Sequence, residues 1–138
     1  MQAMFVYLTS FILTSISLAH DGYELKVSVK NIETQRGKIR ICLANERTDF
    51  LKACFLSKEE TAVGKVVTAV FQHVPPGEYA VSVYHDEDGN GELNKKGPFG
   101  IPSEAYGFSN NPRAYFGPPD YEDCTFQVSS DKVIVINL

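Results

Sequence analysis

Alternating apolar and polar positions recur along most of the chain after residue 22. Leu25, Val27 and Val29 alternate with lysine and serine, and a similar alternation begins after Gly37. A period of two places successive side chains on opposite faces, so both segments are predicted to be half-buried strands. Third and fourth strands are expected over residues 65–74 and 78–85. The turn Val74-Pro75-Pro76-Gly77 is predicted to join them as a β-hairpin.

The second half of the chain predicts a different organisation. Residues 86–120 are rich in Gly, Pro, Asn and aromatic residues and have little periodicity, which indicates one long irregular loop. Strands are expected over 123–128 and 132–138, and the last, apolar on both faces, is predicted to be central and buried. Only residues 50–55 show helical spacing. The predicted fold is an all-β, two-layer antiparallel β-sandwich with Greek-key connections.

The N-terminal segment predicts export. Met1 to Ala19 has no charged side chain, is largely apolar and ends in Ser17-Leu18-Ala19, which is typical of a secretory signal cleaved after Ala19. An uncleaved anchor or a buried strand stays open, because no Lys or Arg precedes the apolar stretch. Cleavage would leave one periplasmic or secreted domain over 20–138 with no transmembrane span. The net charge of −4, without a basic stripe, argues against nucleic-acid binding.

The chain has three cysteines, Cys42, Cys54 and Cys124. In an exported protein two of them are expected to pair, and the sequence alone leaves all three pairings open. No C-x-x-C motif occurs, so neither a structural zinc site nor a thioredoxin-like site is indicated.

Several segments carry a family resemblance. They are Phe71-Gln72-His73-Val74-Pro75-Pro76-Gly77-Glu78-Tyr79, Tyr84-His85-Asp86-Glu87-Asp88-Gly89-Asn90-Gly91 and Tyr106-Gly107-Phe108-Ser109-Asn110. Together they closely resemble the DUF2141 family of small exported bacterial proteins, which has no assigned function. The Pro-Pro-Gly turn is also similar to that of transthyretin-like and other Ig-like sandwiches. The family resemblance implies a Cys42–Cys54 disulfide with Cys124 free.

A calcium site is the strongest chemical hypothesis. Oxygen donors at Asp86, Asp88 and Asn90 alternate as in the first half of an EF-hand loop, and the backbone carbonyl of Glu92 and Asn94 are expected as further ligands. Gly97 occupies the place of the bidentate glutamate, so a missing carboxylate would have to come from elsewhere. The candidates are Glu104, Asp120, Glu122 and Asp123. The alternative is a set of turn-forming residues whose carboxylates only face water.

Other functions remain open at this point. Cleavage after Ala19 would place His20 at the N-terminus, where its amine and imidazole, with a second histidine, could form a copper-binding or redox brace. Tyr106, Phe108, Tyr115 and Phe116 could present an aromatic surface to an envelope protein or a glycan, or pack as a mini-core. The favoured role is a non-catalytic binding or structural module, and an unrecognised enzyme with its site in residues 86–120 is the alternative.

Overall fold

The computed structural model describes residues 21–138, so the predicted signal peptide, its cleavage after Ala19 and His20 lie outside the described residues. The described chain is built almost entirely of strands. In chain order the elements are β1 (Tyr23–Lys30), β2 (Lys38–Ala44), β3 (Leu56–Thr61), β4 (Val66–Val74), β5 (Gly77–Asp86), β6 (Lys95–Lys96), β7 (Ile101–Pro102), β8 (Tyr106–Phe108), α1 (Tyr121–Cys124), β9 (Thr125–Val128) and β10 (Lys132–Asn137).

The strands form two packed sheets, which confirms the predicted all-β sandwich. One sheet has three strands in the order β10-β1-β4. The other has five, in the order β3-β2-β5-β8, with β9 also paired to β5. Strand β5 is long enough for both partners, since β9 pairs with its first residues and β8 with residues 82–84. The short β6 and β7 form a separate hairpin.

The core lies between the inner faces of the two sheets. Because side chains alternate between the two faces of a strand, every second residue points into this core, and in the predicted strands these residues are the apolar ones. Its fully buried members include Leu25, Val27 and Val29 on β1, Ile39, Ile41 and Leu43 on β2, Ala69 and Val74 on β4, Val81 and Val83 on β5 and Ile136 on β10.

The predicted hairpin at Pro75-Pro76 is wrong. Strand β4 pairs with β1 in the first sheet, whereas β5 pairs with β2, β8 and β9 in the second. The turn is therefore an arch between the sheets, and the Tyr79 hydroxyl donates to the Pro75 carbonyl at 2.7 Å across it. The period of two in the sequence does not distinguish a hairpin within one sheet from an arch between two sheets, because the apolar faces of both strands point into the same core in either arrangement.

The last strand is also not central. Strand β10 lies at the edge of its sheet and runs parallel to β1, and Val133 and Val135 are 63% and 40% exposed. The free edge is partly covered by Asn111, whose Nδ2 donates to the Val135 carbonyl at 3.0 Å and whose Oδ1 accepts from the Asn137 amide at 2.8 Å. A side chain thus occupies the place of a further strand, which the sequence pattern does not reveal.

Two shorter segments also differ from the expectation. Strand β3 was not predicted, because its polar, mostly exposed residues show no apolar alternation and it lies at a sheet edge next to β2. A single helical turn, α1, precedes β9, which pairs with β5 in the five-stranded sheet and not with β10. Among residues 21–138, no helix is long and apolar enough to cross a membrane.

Candidate functional site

The irregular segment begins at Asp86, the last residue of β5. Its side chain points to the outer face of the five-stranded sheet and is completely buried. Arg40, on the neighbouring strand β2, donates from Nε to Asp86 Oδ2 at 2.6 Å. Gly37 also contacts this position, because a Cβ there would overlap the Asp86 carbonyl oxygen. The end of β5 is therefore held on both its backbone and its side chain.

The turn after Asp86 folds around that carboxylate. The Asn90 amide donates to Asp86 Oδ1 and to Asp88 Oδ1, both at 3.1 Å, and the Gly91 amide donates to Asp86 Oδ2 at 2.9 Å. Gly91 has φ 82°, a left-handed conformation in which glycine is least strained. The Tyr84 hydroxyl donates to the Gly91 carbonyl at 2.7 Å. The Gly-rich turn thus curls back over the sheet.

Glu104 closes the site from the far end of the segment. Its Oε1 accepts from the Glu87 amide at 3.0 Å and its Oε2 from the Asn94 amide at 2.9 Å. Ligand oxygens of Asp86, Asp88 and Glu104 lie within 4.8 Å of one another. Of the four carboxylates considered as the missing ligand, Glu104 is the one that joins Asp86 and Asp88.

The remaining predicted ligands occupy different places. Asn90 and Asn94 are joined by an Nδ2–Oδ1 hydrogen bond of 2.6 Å, and Asn94 also donates to Asp88 Oδ2 at 2.7 Å. Glu92 is exposed, and its amide donates to Asn90 Oδ1 at 2.9 Å. Away from this site, Glu122 forms an ion pair with Arg47. The two asparagines therefore border the carboxylates, while the Glu92 side chain lies in solvent.

The charge of the site is only partly balanced. Burial by itself raises the pKa of Asp86, but hydrogen bonds from the Arg40 guanidinium and the Gly91 amide outweigh it, and the pKa lies below its ordinary value. The Asp86 hydrogen bond likewise raises the pKa of Arg40, which also pairs with Glu59. Asp86 thus shares the Arg40 guanidinium with Glu59, while Asp88 and Glu104 add two further carboxylates to the site.

The donor set suits a hard cation. The site offers carboxylate and amide oxygens and no sulfur or imidazole, which is the chemistry of Ca²⁺ rather than of Zn²⁺ or copper. Each carboxylate oxygen already accepts hydrogen bonds, yet an ionised carboxylate has about four acceptor positions, so lone pairs remain for a cation. The residues present therefore fit Ca²⁺, with Asp86, Asp88 and Glu104 as its charged ligands.

The four predicted surface aromatics separate into two groups. Phe108 is buried and packs against Phe50, with ring centroids 6.1 Å apart, and Phe50 packs edge-on against Tyr121 at 5.6 Å. These rings form a small second core on the outer face of the five-stranded sheet, completed by Ala44, Ala80 and Cys124. Tyr106 is 38% exposed, and Tyr115 and Phe116 are 79% and 102% exposed.

The cysteines follow the pairing that the family resemblance implies. Cys42 and Cys54 form a disulfide, and Cys124 is free and buried. The disulfide ties residues 45–55 to β2, and these residues carry Phe50 onto the second core. Burial raises the pKa of the Cys124 thiol to about 12, so it is protonated at neutral pH.

His85 and Ser109, two residue types that can act as a base and a nucleophile, have structural partners in the fold. His85 is 1% exposed, and its Nε2 lies 2.6 Å from the Arg36 carbonyl. The Ser109 hydroxyl is fully buried, accepts from the Val81 amide at 2.9 Å and donates to the Cys124 carbonyl. Ser109 therefore joins β5 to the chain between α1 and β9.

Sequence reasoning missed Arg40. On β2 it is one of several polar positions that alternate with apolar ones. Its neighbour across the sheet is Tyr84, so Asp86 lies two residues farther along β5 on the same face. The register of the β2–β5 pairing brings Arg40 and Asp86 together, and this register cannot be derived from the pattern of polar positions in either strand.

A sequence model described as "Uncharacterized protein conserved in bacteria (DUF2141)" matches residues 27–136. The chain belongs to the DUF2141 family. The match covers the sandwich from within β1 to near the end of β10, and it includes the whole of the Asp86–Glu104 segment and both disulfide cysteines. No curated protein and no solved structure matches the chain. The function of this DUF2141 protein is therefore inferred from the geometry and chemistry of the site.

Proposed function

We propose that this DUF2141 protein is an exported, non-catalytic binding or structural module whose Asp86–Glu104 loop takes up Ca²⁺. The observation that carries the proposal is the convergence of Asp86, Asp88 and Glu104, which lie up to 18 residues apart in sequence, to within 4.8 Å. An envelope protein or a glycan is the expected partner. Export is inferred from the apolar N-terminal segment and is supported by the disulfide, because such bonds persist in oxidising compartments.

Calcium would act by joining the two ends of the loop. Asp86 ends β5 and Glu104 lies just before β8, so an ion held by both would close the long connection between two adjacent strands. Because Ca²⁺ would bind the folded loop and not the unfolded chain, it would raise stability with concentration. The affinity expected for a site with an incomplete EF-hand pattern is on the order of 10⁻⁴–10⁻³ M, as in extracellular modules.

The decisive experiment is thermal unfolding of the protein in EDTA and in a Ca²⁺ series, with isothermal titration calorimetry alongside. We expect the melting temperature and the binding heat to rise together with Ca²⁺. Glu104→Gln and Asp88→Asn should abolish both responses, because each removes one charged ligand. Glu33→Gln, a matched charge change outside the loop, should keep them. No Ca²⁺ heat and no melting shift in the unsubstituted protein would remove the calcium proposal.

The non-catalytic part of the proposal is supported by how the reactive side chains are used. Ser109 and His85 are buried and bonded to backbone groups, and the Cys124 thiol is protonated and inaccessible. Each of these groups therefore stabilises the fold and is not exposed for nucleophilic chemistry. A structural role for Ser109 predicts that Ser109→Ala lowers the stability of the fold.

A second candidate, copper binding, is favoured by one observation. His73 Nδ1 lies 3.4 Å from Oδ2 of Asp21, the second residue after the predicted cleavage site. If His20 is the mature N-terminus, its amine and imidazole would lie one residue from a carboxylate that already contacts a second histidine. Mass spectrometry of the mature protein decides this, since a first residue other than His20 removes the candidate. With His20 first, His73→Gln should weaken Cu²⁺ binding.

A further inference from the structure

The β6–β7 hairpin exposes an unusual combination of side chains at its tip. Phe99 is 89% exposed and Ile101 is 63% exposed, beside the exposed Lys95 and Lys96. Lys96 and Ile101 are direct neighbours across the hairpin. An apolar ring in water is common when it stands alone, but two apolar side chains grouped with two cations at a turn form a defined surface.

The tip is held in this position by hydrogen bonds. At its base the Ser103 amide donates to the Asn94 carbonyl at 2.8 Å, and the Asn94 amide donates to Glu104. At the turn the Gly100 amide donates to the Gly97 carbonyl at 3.3 Å. The hairpin therefore presents Phe99 on an ordered support that is anchored to the rest of the site.

The charge of the tip contrasts with that of the whole chain. The protein has a net charge of −4, whereas the tip carries two adjacent exposed lysines beside an exposed ring. Lysines next to an anionic bilayer contact lipid phosphates, while aromatic and aliphatic side chains enter the boundary between headgroups and acyl chains. A protein partner would instead need a cavity shaped to receive a projecting ring.

A second segment repeats the combination. Arg113, Tyr115 and Phe116 are all exposed on the connection between β8 and α1, and Phe116 is fully exposed. Each of these two connections thus carries apolar side chains and a cation outside both cores of the sandwich. This composition is typical of loops that enter the interfacial region of a membrane.

We propose that the β6–β7 hairpin docks onto an anionic phospholipid bilayer, with Phe99 and Ile101 in the interface and Lys95 and Lys96 on the phosphates. The inference does not require calcium, because the tip is exposed and the hydrogen bonds that hold it, including that from the Asn94 amide to Glu104, form without an ion. It names a bilayer surface as a partner of the module.

The absence of tryptophan from the sequence allows a direct test. Phe99→Trp introduces a single tryptophan at the tip, and Phe55→Trp places one just before β3, where Phe55 packs against Tyr79 of β5. Both proteins are produced with their own N-terminal segment and titrated in EDTA with phosphatidylcholine vesicles, with or without phosphatidylglycerol. We expect a blue shift, and quenching by brominated acyl chains, for Phe99→Trp with the anionic vesicles only.

Cosedimentation with the same vesicles tests the energetics. Phe99→Ala should weaken partitioning about tenfold, and Lys95→Gln/Lys96→Gln by a similar factor that disappears at high salt. The matched control Lys52→Gln/Lys65→Gln removes two exposed lysines elsewhere and should change partitioning much less. Because all variants share the same N-terminal segment, differences between them report the tip alone. Melting temperatures check that each variant is folded.

Two results would overturn the proposal. One is an emission spectrum of Phe99→Trp that stays unchanged with anionic vesicles while the variant is folded. The other is vesicle binding that Phe99→Ala and the paired lysine change leave intact, which would assign binding to another surface or to the N-terminal segment. A failure of calcium binding leaves both readouts unaffected, so the two proposals fail separately.

Discussion

The guanidinium of Arg40 on β2 and the buried carboxylate of Asp86 at the end of β5 are joined by a 2.6 Å hydrogen bond across the five-stranded sheet. Asp86 is completely buried, whereas the Arg40 side chain is 24% exposed. The pair therefore lies where the sheet, the long loop and solvent meet. The buried carboxylate of Asp86 cannot be solvated by water and so depends on Arg40 for stabilisation. Arg40 is partly exposed, so water can solvate its guanidinium.

We expect Arg40→Gln to lower the free energy of unfolding by about 2–3 kcal/mol at neutral pH, since it leaves a buried carboxylate short of a charged donor. In the unsubstituted protein the pKa of Asp86 is depressed, so its contribution is complete above the ordinary value of 3.8 and is lost as pH falls through the folded pKa. In the variant, burial dominates and raises that pKa, so protonation favours its folded state.

The penalty of Arg40→Gln should therefore shrink as the pH is lowered from about 7 to about 4. Urea unfolding across this range measures it, provided that the dependence on urea concentration is unchanged. Lys38→Gln is the control, because Lys38 pairs with exposed Glu59 at the surface and should have little effect at any pH. A penalty that stays constant or grows towards acid contradicts this account of the pair.

Ser109 is predicted to matter through two backbone groups. Ser109→Ala removes the acceptor of the Val81 amide and the donor to the Cys124 carbonyl, both in a fully buried position. We expect a loss of about 2 kcal/mol, because buried backbone groups would lose hydrogen bonds without gaining water. Ser103→Ala, at an exposed serine, should be close to neutral. Equal unfolding free energies for the two variants would show that these bonds contribute little.

The disulfide should stabilise the fold through the loop that it closes. The bonded cysteines are separated by 12 residues, a loop for which chain entropy predicts about 2–3 kcal/mol. Cys42→Ala/Cys54→Ala should lose this amount and should also weaken the near-ultraviolet circular dichroism of the second core, since Phe50 is carried by the closed loop. A variant with unchanged stability and spectrum would mean that β3 and the second core hold residues 45–55 without the bridge.

Cys124 should be unreactive in the folded protein. Its thiol is buried, and a pKa of about 12 leaves almost no thiolate at neutral pH. A maleimide reagent should therefore label one thiol in denaturant and none in the native state on the same timescale. Rapid labelling of the native protein would indicate that the second core opens readily and exposes this residue.

Local sequence patterns predicted most of the strands and the position of the long loop. Alternation in the segments that became β1, β2, β4 and β5 predicted their existence and their buried faces, because side-chain direction in a strand depends only on position parity. The Asp-Gly-Asn-Gly segment predicted a curled loop after the fourth predicted strand, since these residues tolerate left-handed backbone and bond to nearby amides. The pairing of Cys42 with Cys54 was implied by the family resemblance.

Tertiary structure alone decided which elements meet. Whether Pro75-Pro76 joined one sheet or two, and whether β10 was central or at an edge, depended on pairing between segments far apart in sequence. The same holds for Arg40 with Asp86 and for Glu104 with Asp88. The position of a residue in the alternating pattern specifies the face on which its side chain lies. Its partner on that face is set by strand register and sheet order, and these are selected by the packing of the whole core.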